Sequence, residues 1–98
     1  MSAKKGCITR ERKVELSTRL SRIEGQIKGI KKMLDDDRYC LDILQQVSSI
    51  FEALRGVGKV IMRNYLEICA TDALQSKRKE RQEEIYGELM DIIYKFAK

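Results

Sequence analysis

From Arg38 to Leu74 the sequence keeps helical apolar spacing and meets no stop signal for more than thirty residues. That length exceeds ordinary globular helices and points to a bundle core or a seam between subunits. Its apolar stripe comprises Leu41, Leu44, Val47, Phe51, Leu54, Val57, Ile61, Leu66 and Ile68. A helix this long cannot bury such a stripe on itself. With 98 residues in all, the chain is one small domain, and oligomerisation is expected from size alone.

The remaining pattern is also helical. From about Arg10 the apolar positions Leu16, Leu20, Ile23, Ile27, Ile30 and Leu34 step by 4, 3, 4, 3 and 4, a heptad-like seam. Gly25 and Gly29 weaken this first helix by roughly 1 kcal/mol each, a cost that close approach of another backbone would offset. Asp35, Asp36 and Asp37 break the seam, and one of them is expected to cap the second helix. Residues 75–82 lack apolar side chains and read as a connector. A third helix follows with Ile85, Leu89, Ile92, Ile93 and Phe96 on one face. The fold class is all-α: a flexible arm over residues 1–9, then a single helical domain over 10–98.

Charge is unevenly distributed. Residues 1–33 hold ten Lys/Arg against three Glu, a surplus of seven, whereas residues 34–98 carry ten positive and twelve negative side chains. A basic first third suits nucleic acid or another anionic surface, and suits equally a solvated helix face. No apolar run approaches the roughly 18 residues of a membrane span, and the N-terminal residues show no apolar segment resembling a signal peptide. A soluble, cytoplasmic protein with no membrane partner is expected. In a reducing cytosol three cysteines favour ligand or redox duty over a disulfide framework.

Cys40 and Cys69 stand 29 residues apart in the long helix, about 43 Å at the usual rise. They cannot meet within one subunit unless the helix breaks. Two antiparallel copies would set Cys40 of one chain beside Cys69 of the other. The midpoint falls between Leu54 and Arg55, directly before Gly56 and Gly58. Those glycines permit close helix contact in a symmetric dimer, or mark a local weak spot or kink. Cys40 belongs to the first turn, where the helix dipole and Arg38 favour the thiolate while Asp37 and Asp42 oppose it. Cys69 has the apolar neighbours Leu66, Ile68 and Ala70. This contrast fits an attacking thiol at Cys40 and a resolving thiol at Cys69; for an isolated cysteine a small buried hydrophobe is the ordinary reading. Cys7, in the arm, reads as a dispensable exposed thiol.

The chain contains no histidine. A conventional catalytic triad is therefore impossible, no glycine-rich phosphate loop is present, and neither an enzyme nor a bound cofactor is expected. Zinc would want four donors where two well-placed thiols stand, whereas copper(I) accepts soft thiolates and can use two.

The segments Arg19-Leu20-Ser21-Arg22-Ile23-Glu24-Gly25-Gln26-Ile27-Lys28-Gly29-Ile30 and Asp37-Arg38-Tyr39-Cys40-Leu41-Asp42-Ile43-Leu44-Gln45-Gln46 closely resemble the CsoR/RcnR/FrmR family of bacterial repressors. The likeness extends through Cys69. It implies a three-helix subunit, a dimer with an antiparallel second-helix seam, and a tetramer built as a dimer of dimers. It also implies binding to operator DNA without a helix-turn-helix, released when the cysteine site is modified.

Copper sensors of this family resemble one another in a Cys…His-x-x-x-Cys set shared between subunits; the matching positions here are Cys40, Tyr65 and Cys69. Nickel and cobalt sensors use several histidines, and formaldehyde sensors an N-terminal proline where this chain has Ser2. Two cysteines without the histidine look like the persulfide-sensing, CstR-type branch, which controls genes handling sulfide and reactive sulfur. The implied inducers are persulfide donors, and the implied product is a di- or polysulfide bridge between Cys40 and Cys69 of neighbouring chains. The alternative is a copper(I)-responsive repressor using the same two cysteines; a helical adaptor for protein partners is a reading from another class. Family-like DNA contacts fall on Arg19, Arg22 and Gln26, with Lys28, Lys31 and Lys32 as phosphate anchors. Phe51 replaces a position often basic in the copper sensors.

Overall fold

The structure, a computed structural model, describes residues 6–96. Among these residues every regular element is helical. They are α1 (Arg10–Asp35), α2 (Cys40–Asn64), a π-helical turn (Tyr65–Ala70), α3 (Thr71–Gln75) and α4 (Lys79–Phe96). Since α2, the π turn and α3 follow one another without a non-helical residue, the described residues form three helical segments. The long second helix is thus present, but it is not uniform: six residues of it are π-helical. Residues 1–5 of the expected arm and the last two residues of the expected domain lie outside the described residues.

Two compact units divide the chain, one of residues 8–63 and one in which the residues from Asn64 onward gather with Cys7. In the first, Thr9 caps α1: its side-chain oxygen accepts from the Arg12 amide at 3.3 Å, and its carbonyl from Lys13 at 2.9 Å. Leu16 and Ile23 of α1 bury themselves against Ile50 and Val57 of α2, with Ile8, Ile30, Ala53 and Val60 packed around them. The inner end of the arm is therefore anchored rather than loose.

Only half of the heptad seam is covered in this unit. Leu16 and Ile23 point inward, whereas Leu20, Ile27 and Leu34 stay exposed on the flank. The stripe on α2 likewise resolves into two faces. Val57 joins the core, while Leu41, Leu44, Phe51, Leu54 and Ile61 remain exposed, Phe51 to 62%. Sequence spacing alone merges these faces because positions three and four apart serve both.

The aspartates end the first helix instead of starting the second. Asp37 adopts the left-handed conformation (φ 53°). The Arg38 amide donates to the Met33 carbonyl at 3.0 Å, and the Asp37 amide to Leu34 at 3.2 Å. This is a Schellman closure, with aspartate where glycine is usual. Tyr39, not an aspartate, opens α2: its carbonyl accepts from the amides of Asp42 and Ile43.

In the second unit Ala70, Ala73 and Ile85 form the core with Tyr65 packed on it. On α4, Ile85 is buried and Leu89 and Ile92 are half-buried, but Ile93 and Phe96 are exposed. The connector is shorter than its polar composition implies, reduced to residues 76–78. Lys79, Glu80 and Arg81 are good helix formers, so their polarity marks an exposed first turn and not a loop. Gln82 folds back across the gap, donating to the carbonyls of Ser76 at 2.7 Å and Leu74 at 3.4 Å.

Candidate thiol site and basic helix

Cys40 is the first residue of α2, exposed and a free thiol. The early amides of a helix leave positive potential there. Arg38, expected to add to that potential, reaches Asp42 instead (Nη2–Oδ2 3.9 Å).

Cys69 sits in the π turn and is bonded to Cys7, with their Cα atoms 6.8 Å apart. This corrects the expectation of an idle exposed thiol: Cys7 is half-buried and partnered. Asn64, only 1% exposed, fixes the other side of Cys7. Its Nδ2 donates to the Cys7 carbonyl at 3.2 Å and lies 3.7 Å from the Cys7 Sγ. The π turn explains how Asn64 and Cys69 serve one partner. Residues five apart on an α-helix point about 140° apart, whereas i→i+5 bonding brings them close to one line.

Tyr65, the position that the resemblance matches to a histidine of copper sensors, directs its hydroxyl to α4. It donates to Glu88 Oε2 at 2.7 Å. Burial first, then the hydrogen bond and the negative charge of Glu88, push this phenol well above its ordinary value. It is therefore a neutral hydrogen-bond donor at physiological pH, not an anionic metal ligand. Among the described residues of one chain, no three Cys, Asp or Glu side chains gather into a metal-holding group.

All six expected DNA contacts are on α1, but they do not share a face. At about 100° per residue, Arg19, Gln26 and Arg22 span about 60° of arc, close beside the buried edge of Leu16 and Ile23. Lys28, Lys31 and Lys32 lie about 120–180° from Arg19, on the outer side. Arg19 is also engaged within its unit. Its Nε pairs with Glu15 at 3.1 Å, and its guanidinium lies where a Cβ on Gly56 would stand, 2.8 Å away. Gln26 is half-buried, Arg22 is exposed, and Lys32 meets Asp36 at 3.5 Å. No helix among the described residues is long and apolar enough to cross a membrane.

Sequence reasoning passed over Asn64 and Glu88. Asn64 was detectable, since it continues the inward register of Val57 and Val60 with a polar side chain. Glu88 carried no such signal.

The family model for metal-sensitive transcriptional repressors matches residues 12–95. The copper-sensing transcriptional repressor CsoR of Bacillus subtilis is 38% identical over 86 residues, covering 88% of this chain and 82% of that protein. The copper-sensing repressor RicR of Mycobacterium tuberculosis is 39% identical over 64 residues, or 65% of this chain and 67% of that one. Among solved structures, the copper-sensing repressor CsoR with Cu(I) from Geobacillus thermodenitrificans superposes with a TM-score of 0.83 at 40% identity, covering 100% of this chain and 99% of the other. A variant of the formaldehyde-responsive regulator FrmR from Salmonella enterica gives a TM-score of 0.62 at 27% identity, over 90% of this chain and 97% of that one.

Proposed function

Because the chain belongs to the family of metal-sensitive transcriptional repressors, we propose that it represses transcription from operator DNA and is switched by reactive sulfur at a dithiol shared between subunits. Cys40 of one subunit and Cys69 of another form that pair. The single observation that carries the choice of inducer is Tyr65, whose hydroxyl is committed to Glu88. A site of this composition offers two sulfurs and a neutral phenol, a set suited to sulfur exchange and short of a third soft metal ligand.

The chemistry balances without a cofactor. The Cys40 thiolate attacks the outer sulfur of a low-molecular-weight persulfide, and the carrier thiol leaves. Cys69 of the other chain, in its thiol form, then attacks Cys40 sulfur and expels hydrosulfide, giving a disulfide. Further sulfane sulfur lengthens the bridge, so that it spans a gap wider than the roughly 7 Å between Cα atoms that a direct bond tolerates.

Assembly as an antiparallel dimer, and then a dimer of dimers, is supported by the exposed apolar side chains Leu41, Leu44, Phe51, Leu54 and Ile61 of α2. A second copy presents the same stripe and is self-complementary. The covalent bridge biases that assembly away from its DNA-competent shape. Arg19, Arg22 and Gln26 carry the operator contacts in this reading, and Lys28, Lys31 and Lys32 supply a separate sequence-independent attraction.

A second reading, copper(I) as the inducer, is favoured by the relatives, whose names describe copper sensing. Side-by-side titration of the operator complex decides between them. Glutathione persulfide should release DNA and yield 40-to-69 linked peptides from two chains, whereas copper(I) under a competing chelator should leave the complex intact. DNA release by tightly bound copper(I), or unchanged operator affinity in cross-linked protein, overturns the sulfur reading.

A further inference from the structure

Cys69 already has a covalent partner in its own chain. We propose that Cys7 is a second resolving thiol for Cys69, and that hydroperoxides close this pair inside one subunit and so withdraw Cys69 from the bridge to Cys40. The pairing does not depend on the inducer; only its consequence for the bridge between chains rests on the sulfur reading above.

Three features of the second unit build the site. The Cα atoms of Cys7 and Cys69 lie 6.8 Å apart, within the span a disulfide closes. Buried Asn64 grips the Cys7 carbonyl and faces its sulfur, so the end of the arm is held against the helix by more than the bond itself. The π turn sets Cys69 near the same line as Asn64. Cys7 also follows directly on Gly6 and precedes Ile8, which packs into the core of the first unit.

The reaction balances with the peroxide as oxidant. The Cys69 thiolate attacks the O–O bond, leaving Cys69 sulfenic acid and an alcohol. Cys7 sulfur then attacks Cys69 sulfur and displaces water. Two thiols lose two electrons and two protons, and the hydroperoxide is reduced to alcohol and water. Cys40 takes no part and keeps its thiol. The chain thereby separates two oxidants by product: peroxide gives a ring within a subunit, and persulfide gives a link between subunits.

The test treats fully reduced, full-length protein with one equivalent of tert-butyl hydroperoxide, followed by alkylation, non-reducing electrophoresis and peptide mass spectrometry. The expected product migrates as a single chain, contains 7-to-69 linked peptides and has Cys40 alkylated. In Cys7→Ser that product disappears and 40-to-69 linked dimer rises. In Cys40→Ser it persists, so it stays readable whatever Cys40 senses. Pre-oxidised wild type, challenged with glutathione persulfide, should give roughly ten-fold less 40-to-69 cross-link than reduced protein, since Cys69 has no thiolate to offer. The proposal is overturned if 7-to-69 peptides are absent, if they arise in a two-chain band, or if wild type and Cys7→Ser give the same products.

Discussion

The Tyr65 hydroxyl donates to Glu88 Oε2 at 2.7 Å, tying the π turn to α4. The bond commits the side chain that the resemblance matches to a histidine of copper sensors, and it contributes to the stability of the second unit.

Replacing Tyr65 with Phe should cost about 1–2 kcal/mol in chemical denaturation, the usual range for a partly buried bond to a charged acceptor. The loss should depend on pH. Folding raises this phenol above its ordinary value of 10.0, so its contribution is fully present below about pH 10 and fades as pH climbs beyond that. The gap between wild type and Tyr65→Phe should therefore be constant at neutral pH and shrink in the alkaline range. A gap that widens there contradicts the assignment.

Tyr65→His supplies the imidazole that completes the copper-sensing pattern implied by the resemblance. Affinity for copper(I) in competition with a chelator should rise about ten-fold or more. An unchanged affinity would mean that the imidazole at this position cannot reach the two sulfurs.

Asp37 carries a side chain in a conformation that glycine adopts without strain. Asp37→Gly should stabilise the chain by about 0.5–1 kcal/mol, the relieved left-handed strain less the added freedom of the unfolded chain. Urea midpoints at constant slope measure it; a loss of stability would show that the carboxylate contributes more than its backbone costs.

Operator binding should distinguish Arg22 from Arg19. Arg22→Ala should weaken affinity and reduce the salt slope by about one. Arg19→Ala should do less, because Glu15 and the surface over Gly56 already hold that guanidinium. Fluorescence anisotropy across a salt series reads both numbers; equal slopes for the two variants would refute the distinction.

Much of this architecture was legible in the residues. The seam from Leu16 to Leu34, the turn at Asp35–Asp37 and the long second helix all follow from spacing, and the Arg19–Gln26 and Cys40–Cys69 motifs identify the family. Three things were hidden for physical reasons. Apolar spacing cannot say which of two adjacent faces is covered within one chain and which stays exposed, so Phe51 and Val57 looked alike. The helix-ending role of Asp37 depends on a backbone angle that aspartate tolerates but does not announce. The π turn left one trace, the step of five from Ile61 to Leu66 where threes and fours prevail. Cys7 left none, since nothing local ties residue 7 to residue 69.

That tie has a topological consequence. Joined at residues 7 and 69, the backbone becomes a closed circle threaded through α1, the Asp37 turn and α2. A single cut after Arg38 opens the circle but does not divide it: the two lengths stay one molecule until a reductant parts them. In its oxidised form the subunit can thus be nicked in its central loop and still keep both helices in each other's company.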